Sequence, residues 1–411
     1  MSNLSFQKVG KVYTGGCRAV DDFSLEIRDG EFMVFTGHDG SGKSTLLRMV
    51  AGLEDNSSGD ILIGGKSVIG VPSKARDVAL VLPDYTLYPQ LTVFDNLAYG
   101  LKHRKYHKEY IEVKVKKVAE MLSLEELLQR KPKTLTSLQR LRVALGRIIV
   151  REPKVVLFDE PLSNLDDKLR LTLRSELIKL HTRLGFTFLY ATHDPLEALS
   201  LGTRIAVLKE GELQQVDIPQ NLYDYPVNRY VADYFGSPAM NLFEATVAKE
   251  NQALYAQFTG CRFELPTSLT QRIAALEEYV NTGKKAFFGI RPEDISLTDD
   301  ENAICAKVET VESLGAETLL TCDLFKEAKK SVVGSPSQIV ARVRLRSEVK
   351  AGDTVKLALD PARVQLFDGY TELSLLARDE GYQTTDFEGA NFVPRSAKKE
   401  SAKPAKTRKR G

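Results

Sequence analysis

Gly37-His38-Asp39-Gly40-Ser41-Gly42-Lys43-Ser44-Thr45 is the stretch on which the fold of this chain turns. It meets the pattern G-x-x-x-x-G-K-[ST] at every fixed position. Apolar Phe32-Met33-Val34-Phe35 precedes it, and Leu46-Leu47-Arg48-Met49-Val50, which reads as the start of a helix, comes after it. A strand, a glycine-rich loop and a helix in that order make a phosphate-binding loop. The glycines let successive backbone N–H groups converge, and the helix N-terminus adds its dipole at the same place. Lys43 is positioned to reach the β- and γ-phosphates and the Ser44 hydroxyl to ligate Mg²⁺. The whole stretch from Gly37 to Thr45 is therefore expected to bind a nucleoside triphosphate.

Outward from this loop, short apolar runs alternate with helical patterns, which predicts a largely parallel sheet flanked by helices. Val78-Ala79-Leu80-Val81-Leu82, Val155-Val156-Leu157-Phe158, Phe188-Leu189-Tyr190-Ala191 and Ile205-Ala206-Val207-Leu208 are the expected strands. Between the first two, Lys108 to Gln129 reads as a helical insertion with Ile111, Val115, Val118 and Leu122 on one face.

A second element of the site is Lys154-Val155-Val156-Leu157-Phe158-Asp159-Glu160, an apolar strand that ends in two carboxylates. This is a Walker B arrangement, with Asp159 in the Mg²⁺ shell and Glu160 orienting or deprotonating the attacking water. A further apolar strand ends in Tyr190-Ala191-Thr192-His193-Asp194, which places His193 to contact the γ-phosphate and the water.

Whole-chain properties narrow the setting. A chain of 411 residues is expected to form at least two domains. Cys17, Cys261, Cys305 and Cys322 have no metal-ligand spacing and suggest no disulfide framework, which predicts a reducing compartment. No apolar run approaches the roughly 20 residues that span a bilayer, and the opening MSNLSFQKVG has no apolar signal core. Any membrane role is thus expected to run through partner subunits. From Pro394 onward the chain carries eight Lys or Arg and one Glu, a net of +7, which against the overall +2 leaves −5 for residues 1–393. That balance argues against nucleic acid as the partner of the body. It predicts a disordered basic tail over 376–411, either a solvated tether or a segment drawn to anionic lipid or RNA.

Together GHDGSGKST, FDEPLSNLD and YATHD, in this order and spacing, resemble the motifs of ABC-type ATPases. Over residues 4–375 the chain is similar to the ATPase subunits of bacterial carbohydrate importers. The resemblance implies a P-loop α/β ATPase domain over 1–235, with a helical subdomain at roughly 90–150, followed by a small all-β OB-type regulatory domain over 236–375. It implies ATP and Mg²⁺ as cofactors, with Glu160, His193 and Lys43 catalytic. Tyr13 is then the aromatic on which adenine stacks, and Asp166 the residue that meets a partner ATPase. Two membrane-spanning permease subunits, a second ATPase subunit and, indirectly, an extracytoplasmic solute-binding protein are the implied partners. The implied location is the cytoplasmic face of the membrane.

Three positions depart from the family pattern. Where the family has a Mg²⁺-ligating Gln after the strand ending at Leu82, this chain has Pro83, which offers neither a side-chain oxygen nor an N–H. Asp84 is a candidate substitute, and the subsequent Tyr85, Leu87, Tyr88 and Pro89 match the family's membrane-subunit contact. The family signature LSGGQ is here Leu135-Thr136-Ser137-Leu138-Gln139, with Leu138 where a glycine lets the other subunit's phosphate approach. Thr136 and Gln139 still fit a capping box, and Leu138, Leu141, Leu145 and Ile148 form a helical stripe. Finally His38 and Asp39 stand where Pro and Ser are commonest, so that Asp39 brings a negative charge near a polyanion.

After Gly236-Ser237-Pro238 the chain turns to evenly spaced β-like runs, including Lys285 to Ile290, Thr318 to Thr321 and Ile339 to Val343, which predicts a small barrel. Arg291 and Glu293 are expected to be structural turn residues. The resemblance implies one of two functions. The first is an active importer ATPase for a carbohydrate or sugar-phosphate, with polyamines as the alternative solute. The second is a weakly hydrolysing regulatory subunit paired with a consensus paralogue.

Overall fold

Phe32-Met33-Val34-Phe35-Thr36 is buried along its whole length, as a central strand covered on both faces must be. The computed structural model to which it belongs describes residues 3–81, 86–163, 165–251, 253–273, 276–301, 303–324, 337–343 and 349–377. The chain packs as two compact units, Met1–Pro219 and Gln220–Gly411.

In chain order the first unit contains β1 (Leu4–Val12), β2 (Arg18–Ile27), β3 (Phe32–Thr36), α1 (Lys43–Ala51), β4 (Ser58–Ile63), β5 (Lys66–Ser67), β6 (Val78–Val81), α2 (Val93–His103), α3 (Lys108–Leu122), α4 (Ser137–Ile149), β7 (Val155–Asp159), α5 (Asp167–Leu184), β8 (Thr187–Thr192), α6 (Pro195–Leu201), β9 (Arg204–Lys209) and β10 (Glu212–Asp217). Six strands form one sheet in the order β10-β9-β3-β8-β7-β6. The pairs β9-β3, β3-β8, β8-β7 and β7-β6 are parallel, and β10 joins antiparallel. The expected alternation of buried strands and helices is therefore present.

A separate antiparallel sheet, β2-β1-β4-β5, was not anticipated from sequence. Its strands carry mixed polar and apolar residues, as expected of a sheet with one face on a core and one in water. Phe6 and Phe23 from this sheet meet Phe35 of β3, with ring centroids 6.0 and 5.6 Å from it, and lie 5.1 Å from each other.

The helical insertion is a layer of three contacting helices, α2, α3 and α4, of which α3 falls in the expected Lys108–Gln129 stretch and α4 carries the expected Leu138–Ile148 stripe. Ile111, Val115, Val118 and Leu122 are buried on one face of α3, as their spacing predicts. That helix stops at Leu122 and does not reach Gln129. Ser123 takes a left-handed conformation, and its N–H caps the carbonyls of Ala119 and Glu120. Leu82, Pro83, Asp84 and Tyr85 lie outside the described residues, as does the tail beyond Ala377.

The second unit holds α7 (Pro219–Asp224), α8 (Arg229–Tyr234), β11 (Asn241–Glu250), β12 (Ala253–Phe258), β13 (Cys261–Leu265), α9 (Thr267–Thr270), α10 (Leu276–Thr282), β14 (Lys285–Ile290), β15 (Ile295–Leu297), β16 (Ile304–Ser313), β17 (Thr318–Leu324), β18 (Gln338–Val343), β19 (Thr354–Leu359) and β20 (Gln365–Asp368). These strands make two sheets, β13-β12-β11-β14-β20 and β15-β19-β16-β17-β18. Alternate residues of both face one apolar core that includes Phe243, Phe258, Phe288, Leu320, Ile339 and Leu357. The expected small all-β domain is thus present in barrel-like form. The four cysteines are free thiols.

Candidate functional site

The loop between β3 and α1 is shaped by glycines that no other residue could replace. Gly37 and Gly42 have φ of 145° and 98°, and a Cβ on them would lie 2.1 Å from the Leu208 carbonyl oxygen and 2.5 Å from that of Ala19. Both the backbone angle and the space require glycine. Ser41 and Lys43 are buried in the loop, and His38, Asp39 and Gly40 are exposed at its tip. The Lys43 ammonium donates to the carbonyls of Gly37 at 2.8 Å and His38 at 3.0 Å, and lies 3.3 Å from Ser41 Oγ. Burial pulls its pKa below the ordinary lysine value, against the opposing pull of Glu160, Asp39 and Asp159.

Folding brings the second motif directly against this loop. Ser44, in the first turn of α1, donates its hydroxyl to Asp159 Oδ1 at 2.7 Å, so the two expected Mg²⁺ ligands are in contact. Both are hard oxygen donors, which suits Mg²⁺. Glu160 comes directly after Asp159 with φ of 46°, a left-handed conformation that costs a non-glycine residue about 1 kcal/mol or more. Its N–H donates to the Ala191 carbonyl at 3.0 Å, which ties it to β8. The next residues along β8 lead to His193, whose Nδ1 lies 3.1 Å from Glu160 Oε2. Asp39 joins them, since one ligand atom from each of Asp39, Glu160 and His193 lies within 4.8 Å of the others. Tyr13 reaches the far end of the loop, where its hydroxyl is 3.4 Å from Thr45 Oγ1. The Lys11 ammonium sits 5.0 Å from the Tyr13 ring centroid.

Other expected residues lie elsewhere on the first unit. Thr136 and Gln139 form the anticipated reciprocal capping box at the start of α4. Ser137 is exposed in the first helical turn, and Leu138 is half-buried beside it. Within the predicted stripe Leu141 and Leu145 are buried, while Leu138 and Ile148 are only partly so. Asp166 is the N-cap of α5, where its side chain accepts from the Leu169 N–H.

A supporting network was missed by sequence reading. Glu197 is 3% exposed and accepts hydroxyl hydrogens from Tyr190 and Thr192, each at 2.9 Å. Burial is the largest influence on its carboxyl and raises the pKa. Arg170 on α5 lies 3.7 Å from Glu197 and 3.8 Å from Asp194, and donates to the Leu165 carbonyl at 3.2 Å. It thereby joins the Asp166 turn to the His193 turn. The acidic residue four positions after His193 and the arginine four after Asp166 carry no motif of their own, so only their meeting identifies them.

A glycine-built loop at a helix start, with a carboxylate pair at the end of a neighbouring parallel strand, defines a P-loop nucleoside triphosphatase. Comparison with known proteins carries the assignment further. Residues 20–163 match the family described as ABC transporter, residues 236–295 the MalK OB fold domain, and residues 288–367 the TOBE domain. The chain is 43% identical to the oligosaccharides import ATP-binding protein MsmX of Bacillus subtilis, over 91% of this chain and 100% of that one. It is 44% identical to the trehalose/maltose import ATP-binding protein MalK of Thermococcus litoralis, over 90% and 99% respectively. Among solved structures it resembles cbiO1 of Clostridium perfringens, part of an ABC transporter complex, with a TM-score of 0.50 and 27% identity over 53% of this chain and 89% of that one. The chain belongs to the ABC transporter ATP-binding proteins and is an importer-type ATPase.

Proposed function

We propose that this ATPase energises uptake of a carbohydrate or sugar-phosphate through two permease subunits. The contact of Ser44 with Asp159, beside the Glu160–His193 pair, is the observation that carries the hydrolytic part of this reading. The sugar-import activities for which the MsmX and MalK relatives are named support the choice of solute. We assign the ATPase domain to 1–235, with its helical subdomain at roughly 90–150, and the regulatory domain to 236–375.

In this reading the loop from Gly37 to Thr45 seats the triphosphate and Lys43 neutralises its terminal phosphates. Tyr13 supports the adenine. Mg²⁺, held by Ser44 and Asp159, supplies charge neutralisation on the phosphates when bound. Glu160 accepts the proton of the attacking water, and His193 holds the γ-phosphate and that water in register. Among the described residues no helix is long and apolar enough to cross a membrane, which fits a subunit that acts through permeases. A groove of about 500 Å³ in the first unit supports permease docking. It is lined by Tyr88, Tyr99 and Arg147, the two rings 4.3 Å apart and the guanidinium 4.6 Å from Tyr88.

Leu138 favours a second reading, in which this chain hydrolyses ATP slowly alone and pairs with a consensus paralogue. A leucine in the first turn of α4 fills space that the family pattern leaves to a glycine. ATP-dependent thermal stabilisation tests the shared premise: the wild type gains stability with Mg-ATP and Lys43→Ala does not. A wild type that shows no shift at millimolar ATP refutes both readings.

A further inference from the structure

The second unit contains a pocket of about 480 Å³ that none of the proposed nucleotide-site residues lines. Its polar lining includes Asp224, Asp294, Arg272, Arg363 and Gln365, with Tyr223 and Tyr225 beside them. The volume lies within the roughly 300–1,000 Å³ of small-molecule sites.

Its frame is rigid. Arg291 is buried, donates to the carbonyls of Phe235 and Tyr223, and stacks on the Tyr223 ring with its Cζ 3.5 Å from the centroid. That guanidinium is spent on the scaffold. Asp224 accepts from Gln220 at 2.6 Å and from Arg363 at 3.3 Å, and its backbone carbonyl accepts from Gln365 at 3.1 Å. Asp294 differs from these. Its backbone is fixed by bonds with Arg291 and Asp360, yet its half-buried carboxylate accepts no hydrogen bond among the described residues. Burial, with Glu293 beside it, pushes that carboxyl up to about 6. A half-desolvated acceptor without a donor favours a ligand that supplies one.

The charges select the ligand class. An anion would meet Asp294 and Asp224, and a cation would meet Arg272 and Arg363. A hydroxyl is both donor and acceptor, so it suits carboxylate and guanidinium at once. We propose that this pocket binds a neutral, hydroxyl-rich ligand, a mono- or disaccharide, with hydroxyls donating to Asp294 and accepting from Arg363 beside Tyr225. This makes the second compact unit a sugar receptor in its own right. The import reading contributes only the choice of probe sugars.

Calorimetric titration of the full chain with glucose, maltose and trehalose tests the site. The expected result is saturable binding of at least one sugar, weakened about tenfold or more by Asp294→Asn and by Arg363→Gln. ATP-dependent stabilisation is unchanged in both variants. Arg363 is half-exposed, so its variant stands as the test if Asp294→Asn fails to fold. Absence of saturable binding by all three sugars at about 10 mM overturns the proposal. So does sugar binding indifferent to Arg363→Gln, or binding of glutamate or spermidine in place of sugars. Failure of the import reading shows separately, as loss of the ATP response in wild type with sugar binding intact.

Discussion

His193 Nδ1 lies 3.1 Å from Glu160 Oε2, although the two residues follow the ends of different strands of the central sheet. The strands β7 and β8 pair in parallel with Asp159 opposite Ala191, so their C-terminal ends deliver both side chains to one edge. In the proposed mechanism one of the pair accepts the water proton and the other holds the phosphate.

Replacement of the proposed base separates binding from chemistry. Glu160→Gln is expected to keep ATP-dependent stabilisation and to lower kcat by about 100-fold or more. Phosphate release in single-turnover and steady-state assays checks it. A loss of less than tenfold assigns the base elsewhere.

Leu138 is expected to limit turnover of the chain alone. Leu138→Gly with Ser137→Gly is expected to raise kcat about 100-fold or more, on the scale of one restored oxyanion donor. Two glycines in the first turn of α4 cost about 1–2 kcal/mol of stability, which thermal melting reads independently. Unchanged turnover in a folded double variant shows that the signature segment is not the bottleneck.

Asp39 places a carboxylate at the tip of the phosphate loop, near Glu160 and His193. A unit charge about 4 Å from another costs about 1 kcal/mol in a watery setting, or about fivefold in an equilibrium. Asp39→Ser is expected to lower the KM for ATP by about that factor. An unchanged or raised KM shows that Asp39 has a favourable contact with nucleotide.

Glu197 is expected to hold the turn that carries His193. Glu197→Ala leaves the Tyr190 and Thr192 hydroxyls buried without their acceptor, at a cost of about 1–3 kcal/mol each. A drop in both Tm and kcat is the outcome. A lower Tm with unchanged kcat confines Glu197 to stability.

Asp294 gives a pH dependence of definite sign. Its ordinary value is 3.8 and the folded value is about 6, so between these the native state holds more protons than the unfolded one. Stability from this group is therefore greatest below about 4 and declines as pH rises through 6. Relative to wild type, Asp294→Asn is expected to gain Tm progressively from pH 4 to pH 7. Melting curves at matched ionic strength measure the difference, in which the other titrating groups cancel. A gap that narrows with rising pH contradicts it.

Motifs with short internal spacing were legible because local chain geometry alone brings their atoms together. The loop from Gly37 to Thr45, the strand ending at Asp159 and Glu160, and the Thr136–Gln139 capping box each act within a few residues. The antiparallel sheet β2-β1-β4-β5 was not legible, because its strands are mixed in polarity and pair across long separations. Helix α3 ran short of expectation because a single left-handed residue, Ser123, outweighed the helical propensity of the Glu125–Gln129 segment.

Sequence by itself determined that this chain carries a phosphate loop, a carboxylate-ended strand and a β-rich C-terminal region, since each is a local pattern of residue type. Tertiary structure alone decided that Ser44 meets Asp159, that Asp39 faces Glu160 and His193, and that Arg170 bridges the Asp194 and Leu165 turns. It also decided that Asp294 sits against a pocket with Arg272 and Arg363. The physical reason is the same in each case: strand pairing and helix packing join residues far apart in the chain, and the resulting distances set the electrostatics of the site.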